Sequence, residues 1–79
     1  MRRVEVLVAA GCTLCPPAVE AVRDAVRGRD DVDLQVIDID GDVALELRHR
    51  ATIPVVLVDG VEVARYAVTA GELAAALDG

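Results

Sequence analysis

The sequence predicts an α/β fold in which a four-stranded mixed sheet combines with about three helices, in the order β-α-β-α-β-β-α, within one domain spanning residues 1–79. Three observations predict it. An apolar run near the start ends at a glycine, apolar residues then recur at helical spacing, and two β-branched runs farther on are joined by an Asp-Gly pair. A strand–helix–strand unit makes a right-handed parallel pair, and a hairpin can add antiparallel strands with helices covering both faces.

The first half of the chain predicts two strands around a helix. Residues 4–9 are apolar except for Glu5, are rich in β-branched side chains and are ended by Gly11, which indicates a mostly buried strand. The next helix is expected to stop at Gly28. Its apolar positions at helical spacing are Ala18, Val19, Val22, Ala25 and Val26. Residues 32–39 predict a less buried strand, because Asp33 and Gln35 alternate with apolar residues.

The second half predicts a short helix, a hairpin and a terminal helix. The short helix covers about residues 43–50, with Asp40 or Asp42 as its N-cap and with Ala44 and Leu47 facing inward. In "TIPVVLVDGVEVARY" the Asp-Gly pair at 59–60 predicts a type I′ turn between two antiparallel strands.

The end of the chain carries a capping signal. Thr69 and Glu72 match the capping box of a helix over about residues 70–77. Tyr66 is the only aromatic residue, and we expect it to pack at the end of the last strand. The core is therefore expected to consist of small aliphatic side chains.

Composition excludes several classes of function. Fourteen acidic residues against eight arginines give a net charge of −6, and the arginines are scattered. Because phosphate binding needs a basic patch, we expect no nucleic-acid partner. No segment is long enough to span a bilayer and no helix has a cationic face, so we expect no membrane partner.

The first residues superficially resemble a lipoprotein signal that ends at a cysteine. Glu5 interrupts the apolar run, however, and the uncharged stretch that follows is shorter than the roughly 7–15 residues of a signal's apolar region. The sequence therefore predicts a soluble, cytoplasmic protein. In that compartment a close cysteine pair is more often catalytic or metal-binding than structural.

The stretch "GCTLCPPA" carries the chemistry. Cys12 is predicted in the loop after the first strand and Cys15 in the first turn of the helix. Pro16 and Pro17 suit that turn, because its N–H groups have no intrahelical acceptor. The positive end of the helix favours a thiolate at Cys12, which can attack a disulfide, and Cys15 can then close a disulfide and expel the bound thiol.

The "CTLC" motif, followed about forty residues later by "TIP" at a hairpin, resembles the glutaredoxin-like branch of the thioredoxin fold, over essentially the whole chain. The resemblance implies a thiol–disulfide oxidoreductase with Cys12 as the nucleophile and Cys15 as the resolving cysteine. It also implies that Pro54 is cis and lies against the cysteine pair, leaving the Ile53 backbone free to pair with an extended substrate thiol.

The centre also departs from the better-known patterns. Glutaredoxins usually have C-P-[YF]-C and a later Gly-Gly segment that helps to hold glutathione, whereas thioredoxins usually have W-C-G-P-C. Here Thr13 and Leu14 separate the cysteines, and with Ile53 and Pro54 they are the expected substrate-binding residues. The chain is similar to small bacterial glutaredoxin-like proteins with a C-x-L-C centre.

We expect a monomer with no bound cofactor. The expected partners are a disulfide-containing protein or a low-molecular-weight thiol, together with a reductase. Glutathione or another thiol is a candidate reductant. Because the Gly-Gly segment is absent, we expect the oxidised protein to be reduced better by a protein reductase or a small dithiol than by glutathione.

Other functions remain open at this stage. One is a non-catalytic adaptor of the same fold, and a weaker one is a metal or iron–sulfur carrier. A structural zinc site needs four ligands, and beyond the cysteine pair only His49 is a good one, so no metal site is predicted. Residues 38–42 suggest a calcium loop, but Val43 and His49 stand where the loop needs Gly and Glu. Arg48 and Arg50 are candidates to contact an acidic substrate group or to stabilise the thiolate, although exposed helix-end charges are the simpler interpretation.

Overall fold

The computed structural model describes residues 1–78 and contains four strands and three helices in the predicted order. The strands are β1 (Arg2–Val8), β2 (Val32–Asp38), β3 (Val55–Val58) and β4 (Val61–Arg65). The helices are α1 (Cys15–Val26), α2 (Val43–His49) and α3 (Ala70–Asp78). None of the helices within residues 1–78 has both the length and the apolar character needed to cross a membrane.

The strands form one mixed sheet in the order β2-β1-β3-β4. β1 pairs in parallel with β2, and in antiparallel fashion with β3. The β3–β4 hairpin is also antiparallel, with a register shift between Val56 and Leu57. As a result β1 is a central strand, and its C-terminal end, from which the cysteine loop departs, lies in the middle of the sheet rather than at an edge.

One face of the sheet is covered by α1 and α3, which pack against each other. Alternate residues of β1 point to this face, as the strand period of two requires. The buried residues of this core cluster are Val4, Val6, Val22, Val56, Val58, Leu73 and Leu77. All seven are aliphatic, as the composition predicted.

The other face carries a smaller cluster of buried residues: Leu7, Ala9, Ile39 and Val55. Helix α2 contributes to it through Leu45, which is half-buried. The prediction that Ala44 and Leu47 face inward is wrong: Ala44 is exposed and Leu47 is 84% exposed. The half-buried residues of this short helix are Leu45, Glu46 and His49.

Local turn and cap signals have the predicted geometry. Asp59 and Gly60 both have positive φ, at 51° and 83°, as a type I′ turn requires. Asp42 caps α2, because its side chain accepts a hydrogen bond from the Leu45 N–H. Thr69 and Glu72 form the reciprocal capping box at the start of α3, with both bonds at 3.0 Å.

Two details differ from the sequence prediction. β2 ends at Asp38, so Ile39 lies beyond the strand, although it is fully buried. Tyr66, which we expected to pack at the end of β4, is instead 47% exposed and has a φ of 68°. Its N–H donates to the Pro54 carbonyl at 2.8 Å, which ties the end of β4 to the start of β3 by backbone rather than by side-chain packing.

Candidate active site

The two cysteines lie where β1 leads into α1. Cys12 is in the connecting loop and Cys15 is the first residue of the helix, as the sequence predicted. They form a disulfide, with their Cα atoms 5.5 Å apart. Cys15 is 4% exposed and belongs to the core, whereas Cys12 is half-buried. An attacking reagent therefore reaches the two sulfur atoms unequally.

A tight turn over residues 9–12 presents Cys12. The Cys12 N–H donates to the Ala9 carbonyl at 3.3 Å, and Gly11, in the third position of the turn, has a φ of 79°. A type II turn needs positive φ at that position, which glycine adopts without steric cost. Gly11 thus ends the strand and turns the chain so that Cys12 precedes the helix.

The N-terminus of α1 is electrostatically uncompensated. Its N-cap residue, Leu14, makes no side-chain capping bond, and the first turn contains no acidic residue. Pro16 and Pro17 occupy positions where a missing N–H costs little. The partial positive charge of the twelve-residue helix is therefore available to an anion at the cysteine pair.

The segment before β3 lies on the other side of Cys12. The Ile53–Pro54 peptide bond is cis, and Pro54 is fully buried. Ile53 is half-buried and lines the same groove as Cys12. Ile53 lies in the loop before β3. Among the loop and turn hydrogen bonds of residues 1–78, none involves the Ile53 backbone. The structure thus brings the predicted residues of the two motifs to one surface.

Two grooves meet at Cys12. The smaller one, about 350 Å³, is lined by Ala10, Gly11, Cys12, Thr13, Leu14, Arg50 and Ile53. The larger one, about 590 Å³, runs along α1 past Cys15, Pro16 and Val19 to the charged pair Glu20 and Arg23. Three of the predicted substrate-binding residues line the smaller groove: Thr13, Leu14 and Ile53. The fourth, Pro54, follows Ile53 in the chain and is buried.

The acidic segment of residues 38–42 has structural roles. Asp42 caps α2, and Asp38 accepts a hydrogen bond from the Asp40 N–H at 2.9 Å. Asp40 itself reaches the cysteine loop, where its Oδ2 accepts from the Ala10 N–H at 2.9 Å. Within residues 1–78 there is no group of three or more His, Cys, Asp or Glu side chains arranged to hold a metal ion.

Asp40 is the site residue that sequence reasoning missed. Its donor partner lies thirty positions away in the chain, so no local spacing signals the contact. Of the two arginines singled out near "TIP", Arg50 lines the smaller groove and Arg48 lines neither groove. His49 is half-buried and likewise lines neither groove; its carbonyl accepts from the Thr52 N–H at 2.8 Å.

Comparison with known proteins agrees with this geometry. The family model described as "Glutaredoxin-like domain (DUF836)" matches residues 3–78, which is nearly the whole chain. No curated protein matches the sequence. The matched range contains the cysteine pair, all three helices and the four strands except for Arg2, the first residue of β1. The chain is therefore a member of the glutaredoxin-like domain family and has a thioredoxin-like fold.

Proposed function

We propose that the protein is a thiol–disulfide oxidoreductase in which Cys12 is the nucleophile and Cys15 the resolving cysteine. The observation that carries this proposal is the unequal placement of the pair. Cys12 lies at the meeting of two grooves, whereas Cys15 is buried in the first position of α1. Thiol–disulfide exchange begins with attack by an accessible thiolate, and a second thiol close to the mixed disulfide can then resolve it.

The reaction runs in two exchange steps. The Cys12 thiolate attacks one sulfur of a substrate disulfide, which forms a mixed disulfide and releases the other substrate sulfur as a thiolate that takes up a proton. Cys15 loses its proton and attacks the Cys12 sulfur, which forms the Cys12–Cys15 disulfide and releases the second substrate thiol. The substrate gains two electrons and two protons, and the protein's dithiol is oxidised by the same amount.

Three features of the site support these roles. The uncapped N-terminus of α1, free of acidic residues in its first turn, favours the thiolate at Cys12. The Cα separation of 5.5 Å is within the usual range for disulfide closure. The Ile53 backbone takes part in none of the loop and turn hydrogen bonds of residues 1–78, so it is available to pair with an extended substrate.

Substrate contacts are assigned to the smaller groove. Leu14 is 50% exposed beside Cys12 and offers an apolar surface to the residue next to the substrate cysteine. Thr13 and Ile53 line the same groove. Pro54 is buried and is joined to Ile53 by a cis peptide bond, and we assign it the role of fixing the position of Ile53 at the groove. The substrate is a protein disulfide or a low-molecular-weight disulfide, and the reduced form is regenerated by a reductase or a small thiol. The two-electron chemistry resides in the cysteines, so no resident cofactor is proposed.

We place the reaction in the cytoplasm, where thiol reductants keep such a pair cycling, and with a monomer as the active form. The proposal is tested by measuring turnover of a fluorescent peptide disulfide with dithiothreitol as the reductant. The intact protein is expected to show catalysis above the uncatalysed exchange, and Cys12→Ser is expected to show none.

The same assay separates catalysis from the adaptor alternative. A protein that folds, forms its disulfide and still gives no turnover with peptide or small-molecule disulfides would be an adaptor that retains the fold. Leu47→Ala provides the control, because its side chain in α2 is 84% exposed and lines neither groove. We expect it to keep turnover within about threefold, because substitutions of exposed side chains away from the site have small effects on the folded structure.

A further inference from the structure

Asp40 connects the cysteine loop to the end of α2. Its Oδ2 accepts a hydrogen bond from the Ala10 N–H at 2.9 Å, and its Oδ1 accepts one from Arg50 Nη2 at 2.7 Å. Ala10 is the second residue of the turn that presents Cys12. One carboxylate thus holds both the turn and the guanidinium.

The carboxylate is itself held in place. The Asp40 N–H donates to Asp38 Oδ1 at 2.9 Å. The preceding residue, Ile39, is fully buried, and its N–H donates to the Val8 carbonyl at 2.9 Å. Since the backbone on which Asp40 stands is anchored to β1, its side chain has little freedom to move away from the turn.

Arg50 lines the same groove as Cys12. Its Nη2 also contacts Glu46 Oε1 at 3.1 Å, one helical turn earlier. The guanidinium has five donors and bonds two carboxylates through one nitrogen only, so its remaining N–H groups are not used by these bonds. Arg50 lines the groove whereas the two carboxylates that it bonds do not, so the positive group of this cluster is the one that faces Cys12 and favours an anion there.

The carboxylates of Asp40 and Glu46 lie behind the Arg50 guanidinium and are bonded to it, and few other charges line the grooves at Cys12. Glu20 and Arg23 of α1 line the larger groove and have opposite signs, and β1 and the segment before β3 contribute only apolar or uncharged residues. The smaller groove contains Arg50 as its one charged lining residue among those described. The position of Arg50, which is held by Asp40 and Glu46, therefore has the largest effect on the ionisation of Cys12 from the smaller groove.

We propose that Asp40 is a positioning residue that holds the Arg50 guanidinium and the turn bearing Cys12 in a fixed relation, so that the guanidinium favours the ionised form of Cys12 in the reduced protein. The inference rests on the proposed nucleophilic role of Cys12. Asp40 acts through Arg50 and through the Ala10 N–H, and it does not touch the reacting sulfur.

The test is a double-mutant cycle read out on the thiol itself. In a Cys15→Ser background, which leaves a single thiol, the pKa of Cys12 is measured from thiolate absorbance against pH. Arg50→Gln is expected to raise this pKa by at least about 0.3, less than the 1–3 units of a charge in direct contact, because the pair is partly exposed. In Asp40→Asn protein the same Arg50→Gln change is expected to have less than half that effect.

Asp42→Asn is the matched control. It makes the same charge change in the same turn, and asparagine is an equally good N-cap. In that variant the effect of Arg50→Gln should remain at its full size. Arg50→Lys keeps the positive charge, so the pKa of Cys12 in that variant should stay closer to its value with Arg50 than to its value in the Arg50→Gln variant.

Two outcomes would overturn the proposal: no change in the Cys12 pKa with Arg50→Gln, or an equal change with and without the Asp40 carboxylate. If Asp40→Asn does not fold, Asp40→Glu replaces it in the cycle, because it keeps the charge but moves the carboxylate oxygens by one methylene. The effect of Arg50→Gln on the pKa of Cys12 is again expected to fall to less than half. The measurement uses no substrate, so a protein that shows the coupling but no turnover would refute the proposed function and leave the role of Asp40 standing.

Discussion

Cys12 and Cys15 share one disulfide but not one environment: Cys12 lines both grooves, whereas Cys15 is 4% exposed and belongs to the buried interior. The accessible sulfur and the shielded one belong to residues only three positions apart in the chain. This difference arises from backbone geometry, since the Gly11 turn directs Cys12 outward and the start of α1 turns Cys15 toward the sheet.

The first prediction follows from this difference. In the reduced protein, iodoacetamide should alkylate Cys12 at least about tenfold faster than Cys15, because reaction requires an accessible thiolate. Peptide mass spectrometry after short exposures between pH 5 and 8 gives the two rates. Equal rates at every pH would contradict the assignment of nucleophile and resolving cysteine.

A second prediction concerns the core. Leu73 is 1% exposed and packs in the cluster between the sheet and the helices α1 and α3. Leu73→Ala should lower the free energy of unfolding by about 2–5 kcal/mol, through lost burial and the cavity left behind. Leu47→Ala makes the same chemical change on an 84% exposed side chain and should cost less than about 0.5 kcal/mol. Urea unfolding of both variants checks the pair, and similar losses would contradict the observed packing of α2.

A third prediction concerns pH. The pKa of Asp59 lies below its ordinary value, because its carboxylate accepts hydrogen bonds from the Arg3 N–H and from the Arg2 side chain. A lowered folded-state pKa means that the ionised carboxylate stabilises the fold above about pH 4, and that this contribution is lost as the pH falls through the lower, folded-state value.

The measurement is the free energy of unfolding of the intact protein and of Asp59→Asn between pH 2 and pH 7. The difference between the two proteins should be greatest near neutral pH and should shrink below pH 4. Asp30→Asn is the control, because Asp30 makes no side-chain hydrogen bond within the described chain. A gap that stays constant with pH would show that the carboxylate contributes nothing through its charge.

A fourth prediction concerns the electron donor. The sequence lacks the Gly-Gly segment with which glutaredoxins help to hold glutathione, and Cys15 is placed to form an internal disulfide. The oxidised protein should therefore be reduced faster by a small dithiol or by a thioredoxin-reductase system than by glutathione at matched potential. Saturable turnover with glutathione that survives Cys15→Ser would indicate a monothiol mechanism instead.

Local signals in the sequence were sufficient for most of the fold. Asp59-Gly60 and the Thr69–Glu72 capping box each act over a few residues, and both have the expected geometry. The cysteine pair was placed correctly for the same reason, because a strand ended by Gly11 and a helix begun by prolines fix its position.

Features set by tertiary contacts were not predictable in this way. The inward face of α2 depends on where the helix meets the sheet, and the structure turns Leu45 rather than Leu47 toward Leu7 and Ile39. In so short a helix, apolar residues on two faces leave the choice open. The bond from Ala10 to Asp40 likewise joins segments that only the assembled sheet brings together.

Trapping the reaction halfway tests the central claim most directly. Reduced Cys15→Ser protein, which lacks the resolving thiol, is mixed with a peptide disulfide and analysed by mass spectrometry without reductant. The proposed mechanism predicts a stable mixed disulfide on Cys12, formed in one-to-one proportion, whereas Cys12→Ser protein should form little or none over the same time. Equal trapping on Cys15 of the Cys12→Ser variant, or no adduct on Cys12 at all, would contradict the account.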